Sequence, residues 1–213
     1  MEPLKLHDPL PALALCCLLL IPGCGESAVG ETSNIEIRAL NMALATLAQQ
    51  RNCAYLDTYS IMLGSNGKPF RFFYESDGEH LAAPGYRRWA DSLLVPHIKA
   101  TKRTCAAMVG DSITRRVAVV KLVDGSDAAW DDLLGIKAYN LGVDGETSAE
   151  VISRLDSIVQ DDADCYFLMI GNNDLHAGVP IAEIITHVDA IIQTLVAKSR
   201  KPVIVQAVMP LIP

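Results

Sequence analysis

The sequence predicts an α/β domain in which helices cover both faces of a parallel sheet. Five short apolar segments of strand length alternate with longer segments whose apolar residues recur at helical spacing. This alternation is typical of parallel strands joined by crossover helices. Half of the 213 residues are hydrophobic, which is enough for one sizeable core.

Each element is predicted from its own pattern. Ile37, Leu40, Leu44 and Leu47 share one face of a first helix, and Pro84 suits the first turn of a second. The segment 63–74 is a predicted loop because turn-forming residues are concentrated in it. The predicted strands are 53–59, 105–109, 135–140, 164–170 and 202–208. The predicted helices are 35–50, 84–94, 115–123, 147–159 and 181–197.

The first 24 residues have the character of a leader. The apolar run 10–22 is shorter than the roughly 20 residues of a membrane span, and it suits a secretory signal. The segment 21–24 resembles a bacterial lipoprotein signal in which Cys24 is lipidated, although Pro22 departs from the usual small residue. We therefore predict an exported protein, either periplasmic, secreted or anchored in the outer membrane through Cys24. A leader cut elsewhere or a misassigned start codon are the alternatives.

The small polar residues 25–33 predict a linker, and residues 34–213 a single domain. The net charge is −7 and no run of lysine and arginine occurs, which argues against a nucleic-acid partner. Cys53, Cys105 and Cys165 have neither C-x-x-C nor metal-ligand spacing, so we interpret them as small buried thiols and expect no metal site. A single disulfide between two of these cysteines is the alternative.

The candidate catalytic residues follow predicted strands or lie in predicted loops. Ser112 follows the strand 105–109 at a Gly110-Asp111 turn, where a hydroxyl is either a nucleophile or a helix cap. Asp77 and His80 are three residues apart, so one short turn presents a carboxylate that orients an imidazole. The backbone N–H groups of Ser112 and Gly145 and the side-chain amide of Asn173 are candidate donors to an oxyanion.

Four segments together resemble the motif blocks of the SGNH (GDSL) hydrolases. They are 110–112, the glycine turn ending at Gly145, 171–174 and 77–81. The resemblance implies a flavodoxin-like, three-layer αβα sandwich and a serine esterase, lipase, thioesterase or carbohydrate deacetylase. It also implies that Ser112 is the nucleophile, His80 the base and Asp77 its orienting residue, with no cofactor.

The order of the blocks departs from the family, in which the Asp-His block comes last. Here Asp77 and His80 precede Ser112. We therefore predict a circular permutation with five parallel strands in the spatial order 3-2-4-5-1. The rival account is a fragment that straddles two tandem domains. We expect a monomer, while a domain-swapped dimer with a shared site stays open.

The substrate is less determined than the reaction. Predicted export favours a short-chain acyl or acetyl esterase acting on carbohydrate. The alternatives are a lysophospholipase or thioesterase, an acyltransferase, and a non-catalytic glycan-binding module. His176 follows the Asn173 block and is a candidate substrate contact. We interpret Asp111 and Asp174 as turn-stabilising residues.

Overall fold

The computed structural model describes residues 27–119, 129–160 and 162–213, with side chains from Ser33 onward and without those of residues 118–119. The predicted leader 1–24, including Cys24, lies outside the described residues. So do positions 25–26 of the predicted linker.

The described residues contain one sheet of five parallel strands. The strands are β1 (Ala54–Leu56), β2 (Cys105–Gly110), β3 (Lys137–Gly142), β4 (Cys165–Met169) and β5 (Val203–Gln206). Their order is β1-β5-β4-β2-β3, which is the predicted order 3-2-4-5-1 taken from the other edge. All four pairings are parallel, and Gly110 lies opposite Gly142 on one side and Met169 on the other. The predicted fold class and strand order are confirmed.

Helices and helical turns connect the strands. The α-helices are α1 (Ser27–Gln50), α2 (Thr58–Ile61), α3 (Ala83–Trp89), α4 (Val95–Thr101), α5 (Ser112–Arg115), α6 (Trp130–Leu134), α7 (Ser148–Ser153), α8 (Leu155–Ile158), α9 (Asn172–His176) and α10 (Ile181–Ser199). A π-helical turn, Ala90–Leu94, joins α3 to α4, and 3₁₀ turns occupy Arg71–Phe73 and Arg116–Val119.

Alternate residues of the central strands supply two separate cores. Ala107 and Val109 of β2 face the core that α1, α7, α8 and α10 cover. Ala106 and Met108 face the other core, which α3, α4 and α6 cover. A fully buried leucine or isoleucine contributes about 1.5–3 kcal/mol relative to an exposed one. Burial on both faces therefore fixes the register of β2 and with it the position of the turn at Ser112.

Several boundaries differ from the prediction. The expected linker is wrong over 27–33, which form the first turns of α1; adding a turn to a helix that has already formed costs less than starting a new one. The strand predicted over 53–59 ends at Leu56, because Asp57 caps α2 by accepting the N–H of Ser60 at 3.0 Å. The helix predicted over 147–159 is interrupted at Arg154, whose φ of −115° is not helical.

The three described cysteines are free thiols. Cys105 and Cys165 are buried as predicted, whereas Cys53 is half-buried, so that part of the prediction is wrong. Within the described ranges, no helix is both long and apolar enough to cross a bilayer.

Candidate active site

Ser112 begins α5 at the carboxyl end of β2, an interior strand between β4 and the edge strand β3. The turn lies close to its neighbours because residue 110 is glycine: a Cβ there would collide with Thr114 Oγ1 and with the carbonyl oxygen of Met169 on β4. The Tyr86 hydroxyl donates to the Ile113 carbonyl at 2.6 Å, and Trp130 Nε1 donates to that of Thr114 at 3.0 Å. These contacts hold the serine at the edge where parallel sheets bind ligands.

Asp77 and His80 lie on the loop that reaches this edge from the segment between α2 and α3. His80 Nδ1 lies 2.7 Å from Asp77 Oδ2, and His80 Nε2 lies 3.0 Å from Ser112 Oγ. Because an ionised carboxylate only accepts, Nδ1 carries the proton and Nε2 accepts from the serine hydroxyl. The three side chains form a nucleophile cluster (Asp77, His80 and Ser112) in the order carboxylate, imidazole, hydroxyl, which is the order that nucleophilic catalysis requires.

The turn around Gly78 stabilises the Asp77 carboxylate. Partial burial raises the pKa of Asp77, but the hydrogen bond from His80 and the N–H groups of Glu79 and His80 outweigh this and lower the pKa to about 2. Both N–H groups donate to Oδ1 at 3.0 Å. The carboxylate is therefore ionised throughout the pH range in which an imidazole exchanges its proton.

Backbone hydrogen bonds fix this turn from both sides. The N–H of Glu75 donates to the His80 carbonyl at 2.8 Å, and the N–H of Ile212 donates to the Gly78 carbonyl at 2.9 Å. Arg116 Nη1 lies 3.9 Å from Asp77 Oδ2. The turn is thus tied to the segment after β5 as well as to its own loop.

A hydrogen bond joins the two loops that carry the further candidate oxyanion donors, Gly145 and Asn173. Asn173 Nδ2 donates to the Glu146 carbonyl at 2.9 Å, which orients the amide and leaves its second N–H for another acceptor. Gly145 has φ +73°, a left-handed conformation that suits glycine and turns the chain just before α7. The N–H of Val143 donates to the Gly110 carbonyl at 3.0 Å, which brings this loop to the Ser112 turn.

A second set of polar contacts holds these donors in place. Buried Glu146 pairs with Arg154 through both carboxylate oxygens, and Arg154 also donates to the Leu141 carbonyl at 2.8 Å. Asp174 accepts the N–H of Ser148 at 2.9 Å and its hydroxyl at 2.5 Å. Both loops that carry candidate donors are therefore fixed by buried charge-assisted hydrogen bonds.

Asp111 is buried directly beside the nucleophile. Its Oδ1 accepts the N–H of Ile113 at 2.9 Å and caps α5, so the predicted turn-stabilising role is confirmed. Burial raises the pKa of Asp111 to about 7, with nearby Glu79 and Glu146 adding to the effect and the Ile113 N–H opposing it. Asp174 is likewise a stabilising residue, since its bonds go to Ser148 at the start of α7.

The candidate His176 and two other ring-bearing residues, His97 and Trp130, lie outside the nucleophile cluster. His176 is partly exposed on α9 with its Nδ1 3.9 Å from Glu79 Oε1, so its predicted substrate contact stays a prediction. His97 packs edge-on against Phe167. Trp130 is buried against Tyr86 and Trp89. In the part of the chain that the structure describes, no group of three or more His, Cys, Asp or Glu residues is arranged to hold a metal ion.

The sequence reasoning missed several residues that shape the site. Glu79 accepts from Asn172 Nδ2 at 2.7 Å, and Glu146 pairs with Arg154. The position of Glu79 between Asp77 and His80 was an available signal. No local spacing indicated the partner of Glu79, because Asn172 lies 93 residues from it.

Residues 108–213 match the model of the GDSL-like lipase/acylhydrolase family, and this segment contains Ser112, Gly145 and Asn173. The chain belongs to this family. None of the curated proteins is similar enough to this chain to count as a match.

Solved structures of similar proteins match part of the chain. A candidate platelet activating factor from Streptococcus pneumonia is 23% identical, with a TM-score of 0.40, over 58% of this chain and 50% of its own. A possible lipase from Chitinophaga pinensis DSM 2588 is 23% identical, with a TM-score of 0.40, over 48% and 47%. The SGNH-hydrolase family esterase AlinE4 is 22% identical, with a TM-score of 0.38, over 48% and 58%. The chain spans about half the length of these proteins.

Proposed function

We propose that this chain is a serine hydrolase that cleaves carboxylic esters through an acyl-enzyme. The observation that carries the proposal is the pair of contacts from His80, 2.7 Å to Asp77 and 3.0 Å to Ser112. They give a hydroxyl nucleophile a base in the required tautomer. Membership of the GDSL-like family supports the same reaction class.

In the first half-reaction His80 Nε2 takes the proton of Ser112 as Oγ attacks the ester carbonyl. The negative charge develops on the carbonyl oxygen, for which the N–H groups of Ser112 and Gly145 and the free N–H of Asn173 are the donors. When the tetrahedral intermediate collapses, the C–O bond to the alcohol breaks and His80 returns its proton to that oxygen. Water then attacks the acyl-serine with the same base, which releases the acid and restores Ser112.

We favour a short acyl group, such as acetyl, on a carbohydrate as the substrate. The predicted export supports this choice. A lysophospholipase, a thioesterase, an acyltransferase and a glycan-binding module without turnover are the competing assignments. They differ in the product formed and in whether Ser112 reacts at all.

The order of the blocks and the location of the protein are further parts of the proposal. We propose a circularly permuted chain with its site closed within one monomer; the contact between His80 and Ser112 of the same chain supports this. A fragment of tandem domains, with a site shared between swapped copies, is the competing account.

We also propose that the protein is exported and anchored through Cys24. A Cys24→Ala variant should then no longer be found in the membrane fraction from which detergent releases the wild type.

The test is hydrolysis of p-nitrophenyl acetate by the chain from residue 25 onward, beside Ser112→Ala and with size-exclusion chromatography of both. We expect turnover by the monomer and a loss of at least about 10³-fold in the variant. A serine-directed organophosphate should label the wild type and leave the variant unlabelled. Turnover confined to a dimer would contradict closure within one chain, and a folded monomer that neither turns over nor is labelled would contradict the hydrolase.

A further inference from the structure

Three of the four phenylalanines of the chain lie together at one turn. Phe72 and Phe73 belong to the 3₁₀ turn Arg71–Phe73 and Phe70 precedes it, with ring centroids 5.1 Å, 6.1 Å and 6.3 Å apart. Phe73 packs against the core that α3, α4 and α6 cover, whereas Phe70 is 48% and Phe72 63% exposed. We call the rings of Phe70 and Phe72 the aromatic patch. Transfer of these rings out of water is favourable, so the patch suits an apolar contact that the rest of the described chain does not provide.

Cationic side chains lie around the aromatic patch. Lys68 and Arg71 are within two residues of Phe70, and both are exposed. Helix α3, which packs against the 3₁₀ turn, contributes the exposed residues Arg87 and Arg88. The patch therefore has positively charged side chains on its own loop and on the neighbouring helix.

Hydrogen bonds place Arg88 beside the loop of the aromatic patch. Its Nε donates to the Ile61 carbonyl at 3.2 Å, and the next carbonyl, that of Met62, accepts the N–H of Phe70 at 2.9 Å. Within the segments 61–75 and 83–89, four cationic residues stand against one acidic residue, Glu75. The local charge is thus positive in a chain whose net charge is −7.

The aromatic patch is joined to the loop of the nucleophile cluster. Arg71, which lies between the two rings in the sequence, donates from Nη1 to the Glu75 carbonyl at 2.7 Å and from Nη2 to the Ser76 carbonyl at 3.1 Å. Asp77 is the next residue along the chain. A surface bound by the patch would therefore lie beside the loop that carries Asp77 and His80.

The chemistry of this surface suits an anionic lipid bilayer. Aromatic rings that enter the headgroup region, next to lysine and arginine that attract anionic headgroups, are typical of peripheral membrane binding. A stable protein interface buries about 800 Å² on each partner, which is more than two partly exposed phenylalanine side chains can supply. A bilayer needs no such area, because binding strength is the sum of a few inserted side chains and the charge attraction.

We propose that the aromatic patch and the four cations around it form a docking site for an anionic lipid bilayer. Phe70 and Phe72 insert between the headgroups, while Lys68, Arg71, Arg87 and Arg88 contact anionic headgroups of the same leaflet. The docked chain holds the loop of the nucleophile cluster near the bilayer. The proposal depends neither on ester hydrolysis nor on a lipid at Cys24, so it is tested in a chain that lacks both.

The test is cosedimentation of the Ser112→Ala chain, from residue 25 onward, with vesicles of phosphatidylcholine and phosphatidylglycerol. This form contains the whole described sheet and both of its cores. We expect binding that Phe72→Ser weakens about tenfold and Lys68→Gln about fivefold. Vesicles of phosphatidylcholine alone should bind more weakly, and added salt should reduce the difference between the two compositions.

Two matched control variants change similar side chains elsewhere. Val196 is 43% exposed and lies with Ala54 and Val203, the first residues of β1 and β5, at the opposite edge of the sheet. Lys99 is exposed on α4. We expect Val196→Ser and Lys99→Gln to bind vesicles as the parent chain does, and urea unfolding of every variant checks that it is folded.

Three results would overturn the docking site. They are no binding to the anionic vesicles, equal losses in Phe72→Ser and Val196→Ser, and a concentration-dependent dimer that Phe72→Ser abolishes, which would assign the patch to a second copy of the chain. Hydrolysis is measured separately, with Ser112 restored: Phe72→Ser should cleave p-nitrophenyl acetate as the wild type does, because this substrate needs no bilayer. Vesicle binding without any hydrolysis would retain the docking site and reject the hydrolase, whereas hydrolysis without vesicle binding would do the reverse.

Discussion

Among the residues that the structure describes, we compare two clusters that each contain a serine, a histidine and an aspartate but differ in which side chain contacts which. In the nucleophile cluster the imidazole stands between the carboxylate and the hydroxyl. In a bracing cluster (Ser148, Asp174 and His187) the carboxylate takes the serine hydroxyl directly, at 2.5 Å, and His187 Nδ1 lies 3.0 Å from the same oxygen.

The difference shows that the reactivity of a serine depends on which side chain contacts its hydroxyl, and not only on which residues are present. The Ser148 hydroxyl has one proton, which goes to Asp174, so His187 must donate to Ser148 and cannot act as its base. Both serines are buried, Ser148 completely and Ser112 with 8% of its surface exposed, so burial does not separate them. The bracing cluster therefore stabilises the start of α7, next to Gly145.

The largest expected effect distinguishes the two serines. Ser112→Ala should lower esterase kcat by at least about 10³-fold without a loss of stability. Ser148→Ala removes a buried hydrogen bond and leaves Asp174 short of a donor, so it should lower the free energy of unfolding by about 1–3 kcal/mol and retain most of the activity. Esterase assays and urea unfolding measure both. Comparable losses of activity in the two variants would contradict the distinction.

The two aspartates give the next prediction. Asp77→Asn should reduce kcat by about 10³-fold, because an amide no longer holds His80 in the tautomer whose Nε2 accepts from Ser112. Asp174→Asn should act mainly on stability, since its carboxylate contacts Ser148. Rates measured over a pH series, with the unfolding free energy of each variant, separate the two roles. An Asp77→Asn variant that keeps wild-type activity would show that His80 needs no orienting partner.

Asp111 sharpens the comparison because it is a buried carboxylate without either a serine or a histidine partner. Its pKa is raised from 3.8 to about 7 by burial. Between these pH values only the folded chain holds the proton, so the free energy of unfolding falls as pH rises through this window, by about 4 kcal/mol at most. Asp111→Asn keeps an acceptor for the Ile113 N–H and should abolish this slope. Urea unfolding from pH 4 to 8 tests it.

A matched control is Asp132→Asn, which changes an exposed carboxylate on α6 and should keep the wild-type slope. If Asp111→Asn and wild type have parallel pH profiles, the Asp111 carboxyl is ionised in the folded chain and the burial argument is wrong.

The smallest expected effect is on the kcat of an Asn173 variant, because Asn173 lies next to the bracing cluster and is a candidate oxyanion donor for the nucleophile cluster. Asn173 precedes Asp174 of the bracing cluster and donates to Glu146 beside the glycine turn. Asn173→Ala should lower kcat about 10²-fold through loss of an oxyanion donor, with little change in KM. Steady-state kinetics with p-nitrophenyl acetate measures this. A rise in KM alone would assign Asn173 to substrate binding instead.

The sequence was sufficient where local spacing decides the structure. Apolar runs located β2, β4 and β5 because both faces of these strands are buried, and the interval from Asp77 to His80 suits one turn. The edge strand β1 was predicted too long because the cap that Asp57 makes with Ser60 competes with strand formation. The segment 27–33, expected as linker, is helical because extending a helix that has already formed costs less than starting one, even with residues of low helix propensity.

Contacts between distant segments could not be predicted in this way. The bonds of Asn172 to Glu79 and of Asp174 to Ser148 depend on how four loops meet at the carboxyl edge of the sheet. One sequence contains no local signal for such pairs. The candidate oxyanion donors were proposed from motifs, whereas the contacts that hold their loops in place are visible only in the structure.

The aromatic cluster under the serine turn provides a spectroscopic reporter. The chain has two tryptophans, and their rings lie 5.0 Å apart and nearly perpendicular. Trp130 is hydrogen-bonded to Thr114 beside the nucleophile, and Trp89 to Gln206 of β5. Intrinsic fluorescence therefore comes from the support of the Ser112 turn. A red shift of the emission on acylation or unfolding would record the loosening of this turn without any added label.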